Sequence, residues 1–172
     1  MKIQNKIIIK FFLPIFILCM HAVSIAMDTI EHSQLKFIPE DFNFHDNYTA
    51  TVINVYDQNK MRIGHIEYFL DLHEKIGNIN TLEIEIEQQK KGIGSKLFLM
   101  ALHDAKKKEI SAIEWISTKN ALPFYERFGS KKVDSSYSII GAELYFPDME
   151  FVFKRDGDPE ENLKNYYANK AI

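Results

Sequence analysis

Residues 87–97 read EQQKKGIGSKL, and what stands on either side of them decides the fold. Before them comes NTLEIEIE (80–87), in which Leu82, Ile84 and Ile86 alternate with Glu83, Glu85 and Glu87. A period of two with one apolar face predicts a β-strand. After them, SKLFLMALHDAKKKE (95–109) repeats Leu97, Met100, Ala101 and Ala105 at helical spacing, with Lys106, Lys107 and Lys108 at the end where helix carbonyls attract cations. A chain that leaves a strand, turns on Gly92 and Gly94 and enters a helix directs bare backbone N–H groups outward. That geometry suits a phosphate. Both glycines permit positive φ and a close approach of the anion. The N–H groups of Lys91, Gly92, Ile93, Gly94 and Ser95 would face it. Gln89, Lys90 and Lys91 add donors and charge, or else form a solvated helix cap.

Two phosphate loops are excluded by spacing. The triphosphate loop needs glycine five positions before Gly94, where this chain has Gln89. The dinucleotide fingerprint needs a third glycine where this chain has Leu97, and it follows a parallel strand rather than an antiparallel lead-in.

Working outward, TATVINVYD (49–57) and MRIGHIEYFL (61–70) read as a hairpin around the polar turn Asp57-Gln58-Asn59-Lys60. QLKFI (34–38) reads as a short strand stopped by Pro39, and residues 74–78 as a turn. Downstream, SAIEWIS (111–117) is a strand. NALPFYERFG (120–129) is a short helix with Pro123 near its first turn and Gly129 as its stop. KKV (131–133), YSIIGAELYF (137–146) and MEFVFKR (149–155) supply two or three further strands. The polar stretch 156–172 reads as a loose tail. The order predicts an α/β fold, a mixed and mostly antiparallel central sheet with flanking helices.

With 172 residues, 46% hydrophobic, and a net charge of −3, the chain fits one globular domain with a core. The acidic balance argues against general nucleic-acid binding. The N-terminus is separate. Lys2, Lys6 and Lys10 precede FFLPIFILCMHAVSIA (11–26), an apolar run ending in a small-x-small pattern. It reads as a signal peptide cleaved after Ala26, and hence export, or as an uncleaved membrane anchor over residues 7–26. The domain then spans 27–155. The single cysteine, Cys19, lies in that leader, so a mature chain carries no thiol.

Gln89-Lys90-Lys91-Gly92-Ile93-Gly94 at a strand-to-helix junction resembles the pyrophosphate loop of the GCN5-related N-acetyltransferases (GNAT), which bind acetyl-coenzyme A. Some thirty residues on, Ala121-Leu122-Pro123-Phe124-Tyr125-Glu126-Arg127-Phe128-Gly129 resembles the same family's A-x-x-[FL]-Y-E-x-x-G helix. Both fall in the family's order, within a similarity over residues 50–155. The resemblance implies a GNAT-like acyl-CoA N-acyltransferase fold, acetyl-CoA as co-substrate, and direct transfer to an amine in a ternary complex. It implies that the pantetheine arm pairs with the backbone of Ile84 and Ile86, as an added strand would. Tyr125 matches the family's tyrosine, a general acid that protonates the departing thiolate, or else a core tyrosine anchoring the helix. Glu83 and Glu85 are candidates to deprotonate the amine through a water, or else part of a solvated strand face.

Three positions depart from the family. Thr118 stands where it often has asparagine, with Asn120 nearby as a substitute cofactor contact, and Ser130 replaces an aromatic. There is little room before Thr49 for the two helices that shape the family's acceptor site. The rival function is an exported, non-catalytic binding module on the same fold. His65, His73 and His103 fall into no metal-ligand spacing, so no metal is expected. Exposed edge strands allow a homodimer.

Overall fold

Runs rich in Val, Ile, Thr and aromatic residues fill the first half of the domain, and they pair in chain order. The computed structural model describes residues 35–45, 47–133 and 148–170. Its strands are β1 (Lys36–His45), β2 (Tyr48–Tyr56), β3 (Arg62–Asp71), β4 (Ile76–Ile84), β5 (Ala112–Ile116), β6 (Lys131–Val133) and β7 (Asp148–Val152). Its helices are α1 (Ile93–Lys107), α2 (Leu122–Glu126), α3 (Phe153–Asp156) and α4 (Pro159–Lys170). Among the described residues the strands form one sheet, in the order β1-β2-β3-β4-β5-β7-β6. The β4–β5 pair is parallel and the others are antiparallel. This is the mixed, mostly antiparallel sheet the sequence predicts. The leader or anchor reading of residues 1–26, and the strand expected within 137–146, lie outside the described residues.

One stripe of α1 builds the core. Ile93, Leu97, Phe98, Ala101, Leu102 and Ala105 are buried, a spacing that keeps them on one helical face. They meet Ile66, Tyr68 and Leu70 of β3, Ile79 of β4, and Ile113 and Trp115 of β5. Ala101 and Ala105 are fully buried and small, which lets the helix lie close to the sheet. Lys106 and Lys107 occupy the last turn, as the dipole favours.

Three elements differ from the sequence reading. β1 runs straight through Pro39, which pairs with Ile53. It is the sheet's edge strand, and an edge can carry a proline where its missing donor faces outward. β4 starts at Ile76, inside the expected turn. Gly77 sits in that strand because a Cβ there would come within 2.8 Å of Leu70 and 3.1 Å of Ile113, so its smallness serves packing and not a turn. The polar stretch expected to be loose forms α4. Asp158 caps it, its Oδ1 accepting from the N–H groups of Glu160 (3.0 Å) and Glu161 (3.1 Å). Asn162 Nδ2 then donates to the carbonyls of Phe128 and Asp156 and fastens the helix to the domain.

Candidate active site

The site begins where two parallel strands part. β4 and β5 pair only at Ile76–Ala112, Gly77–Ile113 and Asn78–Glu114. Two residues later the register of β4 against β3 shifts: Ile79 faces Tyr68 and Thr81 faces Glu67, leaving Asn80 as the extra residue of a bulge. A bulge bends its strand and increases its twist. Asn80 Nδ2 donates to Glu67 Oε2 at 2.8 Å and fastens the bend. The rest of β4 therefore swings away from β5 and opens a cleft.

At the far end of β4, the Glu85 N–H donates to the Ile63 carbonyl at 2.9 Å, on the β3 side. By strand alternation the Ile84 backbone faces the opposite way, into the cleft. The chain then makes a 3₁₀ turn over Ile86–Gln88, passes Lys90 at φ 63° and Gly92 at φ 81°, and enters α1. Gly92 is the N-cap and offers no side-chain hydrogen bond. Lys96 supplies the N–H that closes the first turn, on the Gly92 carbonyl at 3.0 Å. The N–H groups of Ile93, Gly94 and Ser95 precede it and have no intrahelical acceptor. Of the five amides expected to face an anion, these are the three that follow the N-cap. Of the two glycines only Gly92 is left-handed; Gly94 is helical, and a Cβ there would meet Ile84 and Phe124 at 3.6 Å, within the cleft.

The cleft is a groove of about 430 Å³ between the end of β4, the start of α1, and α2. Ile84, Gln89, Lys90, Gly92, Gly94, Ser95 and Tyr125 all line it, so the structure brings together the loop and the tyrosine that sequence picked out separately. Tyr125 is only 8% exposed. An aromatic cluster holds its ring: Phe124 at 4.8 Å, Trp115 at 4.9 Å and Phe98 at 5.2 Å between centroids. Burial pushes its hydroxyl up to about 12. Desolvation disfavours the phenolate, so the group keeps its proton across the physiological range.

Other predicted residues lie elsewhere. Ile86 has left the strand and is 80% exposed. Ile93 is 2% exposed and points into the core, so only its backbone can serve a ligand. Lys91 Nζ is engaged with Gln88 Oε1 at 3.0 Å, and Asn120 is exposed and outside the groove. Gln89 lines the groove but turns back, its Nε2 donating to the Ile84 carbonyl at 3.1 Å. Glu83 and Glu85 do not meet Tyr125 in the groove. They border a separate hollow of about 340 Å³ with Arg62 and His65, reached across Ile84.

Sequence reasoning missed Phe124, Arg127 and Tyr167 as lining residues. Tyr167 belongs to α4, whose start is signalled by Asp158-Pro159-Glu160-Glu161: a capping side chain, a proline at the first helical position, and acids in the first turn. Among the described residues no three His, Cys, Asp or Glu side chains gather as a metal site would require, and no helix is long and apolar enough to cross a membrane.

Residues 32–152 match the family model described as an acetyltransferase (GNAT) domain. No curated protein matches the chain in sequence. Solved structures with the same fold include the PaiA N-acetyltransferase of Thermoplasma acidophilum in complex with coenzyme A, at 23% identity over 60% of this chain and 60% of that one, TM-score 0.50. Arabidopsis thaliana Naa50, in complex with the bisubstrate analogue CoA-Ac-MVNAL, is 24% identical over 59% and 72%, TM-score 0.52. A Bacillus anthracis protein in complex with acetyl coenzyme A is 16% identical over 64% and 65%, TM-score 0.54. The chain thus spans three-fifths of the Thermoplasma protein.

Proposed function

The chain belongs to the acetyltransferase (GNAT) family, and from that premise we propose that it is an acyl-CoA-dependent N-acyltransferase, moving acetyl from acetyl-CoA to an amine in a ternary complex. One observation carries the reading. The start of α1, where the Gly94 and Ser95 N–H groups have no intrahelical acceptor, and the protonated Tyr125 line one groove. The first suits a diphosphate and the second a leaving thiolate, and acyl-CoA carries both.

In this reading the diphosphate sits on the N–H groups of Ile93, Gly94 and Ser95, each charge–dipole contact contributing about 0.3–1 kcal/mol. The pantetheine arm runs along the free edge of β4 opened by the bulge. To use the Ile84 carbonyl it must displace the Gln89 side-chain amide now bonded there. The thioester carbonyl then lies near Tyr125. The amine attacks that carbon, a tetrahedral adduct forms, and the C–S bond breaks. Tyr125 Oη–H supplies the proton as the thiolate departs, and the adduct's cationic nitrogen gives up one proton, through water, to restore the phenol. A phenol at about 12 is a weak donor to a solvated thiolate with a pKa of about 8.5, but burial raises the thiolate's proton affinity as well. Glu83 and Glu85, in the hollow across Ile84, would draw in a cationic amine and take its proton through water.

The rival reading, a binding module without catalysis, has one observation in its favour. β1 ends at His45, which pairs with Tyr48 at the start of β2, so no helix stands between the two strands to wall an acceptor site. Isothermal titration with acetyl-CoA separates the two. Micromolar binding abolished in Gly94→Asp supports the enzyme. Absence of binding by the folded protein supports the module. We further propose that the domain acts outside the cytoplasm of the cell that makes it, where a recipient must supply the acyl-CoA; mass spectrometry of ligand carried through purification identifies the acyl donor.

A further inference from the structure

The Trp115 indole is 2% exposed, and its Nε1 is a buried donor with no acceptor among the described residues. An indole N–H can only donate, and folded proteins seldom leave such a group unmet. Its place in the fold is specific. Asn78–Glu114 is the last pair between β4 and β5, so Trp115 is the first residue of β5 after the strands part. Its ring stands 4.9 Å from Tyr125 and 5.3 Å from Phe98 between centroids. It also borders a hollow of about 310 Å³, shared with Asn78, Glu114, Ile116 and Met149. Of the residues lining the groove with Tyr125, Leu82, Ile84, Ala121 and Phe124 have no side-chain donor to offer.

We propose that Trp115 is a further catalytic residue, whose Nε1–H donates to the acyl oxygen of the bound thioester. The inference rests on the reading of the groove as an acyl-CoA site. In that reading Tyr125 stands at the sulfur, and the carbonyl carbon is bonded to that sulfur. The ring packed against Tyr125 is the one placed to meet the oxygen. As the amine nitrogen bonds to the carbonyl carbon, an electron pair moves onto that oxygen, and the indole N–H stabilises the charge. When the C–S bond breaks, the pair returns and the carbonyl re-forms. The indole keeps its proton throughout, and the phenol supplies the one that the thiolate takes. A donor already fixed in a site poor in water needs no reorganisation as the charge develops. A tryptophan serving the core alone would not tell ligands apart by their acyl oxygen.

The chain has one tryptophan, so ¹⁵N-labelling of that residue type gives a single indole N–H resonance. The test is titration of the full chain with acetyl-CoA and with S-ethyl-coenzyme A, which matches the acetyl group in length but lacks the oxygen. Acetyl-CoA is expected to move the resonance downfield and to slow its exchange with solvent. S-ethyl-coenzyme A should bind without that displacement. Trp115→Phe, which keeps an aromatic ring in the cluster, should lower kcat about 10²- to 10³-fold, the scale for one oxyanion donor. The same variant should bind S-ethyl-coenzyme A within about a factor of two of the wild type. The resonance is read on the wild type, so the test survives a variant that fails to fold. Saturating acetyl-CoA that leaves the resonance in place overturns the inference, as does an equal displacement by both ligands. A Trp115→Phe variant with lowered Tm that weakens both ligands alike assigns the indole to the core and overturns it too. If the chain binds both ligands and the indole does not distinguish them, only the role of Trp115 falls. If it binds neither, the acyl-CoA reading of the groove falls with it.

Discussion

Tyr125 takes its character from what surrounds it. Packed among Phe98, Trp115 and Phe124, its ring cannot turn away from the groove, and the same burial keeps its hydroxyl protonated. Removing the hydroxyl alone therefore tests chemistry with little change in packing. Tyr125→Phe is expected to lower kcat about 10²- to 10⁴-fold, the range for general acid catalysis, while KM for acetyl-CoA stays within a factor of about two. Steady-state kinetics on any accepted amine checks it, and an unchanged kcat would assign the tyrosine to the core only. Gly94 makes the complementary case. A Cβ there meets Ile84 and Phe124 only at ordinary contact distance, so the fold tolerates a small side chain. Gly94→Ala should keep most of the stability. Gly94→Asp sets an anion among the N–H groups proposed to hold the diphosphate and should abolish acetyl-CoA binding in a calorimeter without unfolding the protein.

At the scale of elements, the C-terminal helix is the part of the groove fastened on last along the chain, and one buried carboxylate holds its approach. Asp156 Oδ2 accepts from the Val152 N–H at 2.8 Å and from Arg155 Nη2 at 2.8 Å, while Lys131 lies 3.3 Å from Oδ1. Burial alone would raise the Asp156 carboxyl, but the Arg155 and Val152 hydrogen bonds outweigh it and hold the group below the usual carboxylate range. A folded-state value below the unfolded one means stability present above about pH 4 and lost as pH falls through the depressed value. Asp156→Asn should cost about 1–3 kcal/mol near neutral pH by denaturant unfolding. The gap between variant and wild type should close as pH drops below about 4. Gly129 secures the same junction at φ 91°, where a Cβ would lie 2.5 Å from Asn162 Nδ2, so Gly129→Ala should loosen α4 and raise its hydrogen exchange. These contacts mark the limit of what sequence conveyed. The strand, loop and helix around Gly92 were legible because their apolar periods are strong, and Tyr125 because its motif is local. Tyr167 was not: α4 is polar on most faces and held by hydrogen bonds, so it carries no hydrophobic period to read, only the capping signature at Asp158. The bulge at Asn80 was equally silent, since nothing in NTLEIEIE marks which residue lacks a partner.

For the whole molecule, that bulge links fold to function. The sheet is continuous from β1 to β4 and again from β5 to β6, and the two parts join through a short parallel contact at Ile76–Asn78 and through the packing of α1. A ligand in the groove touches β4 and α1 on one side and α2 and α4 on the other. It therefore bridges the parts that the bulge separates, and its binding energy adds to the stability of the whole fold. At a hundred times its dissociation constant, acetyl-CoA should add about 2.7 kcal/mol, which for a domain of this size raises Tm by about 10 °C. The gain should appear as slower hydrogen exchange at both margins together, in residues 82–95 and 121–127, because neither side can close on the ligand alone. Gly94→Asp should lose the shift. A wild-type Tm indifferent to acetyl-CoA, with the fold intact by circular dichroism, would mean that the cleft opened by the bulge serves some other ligand.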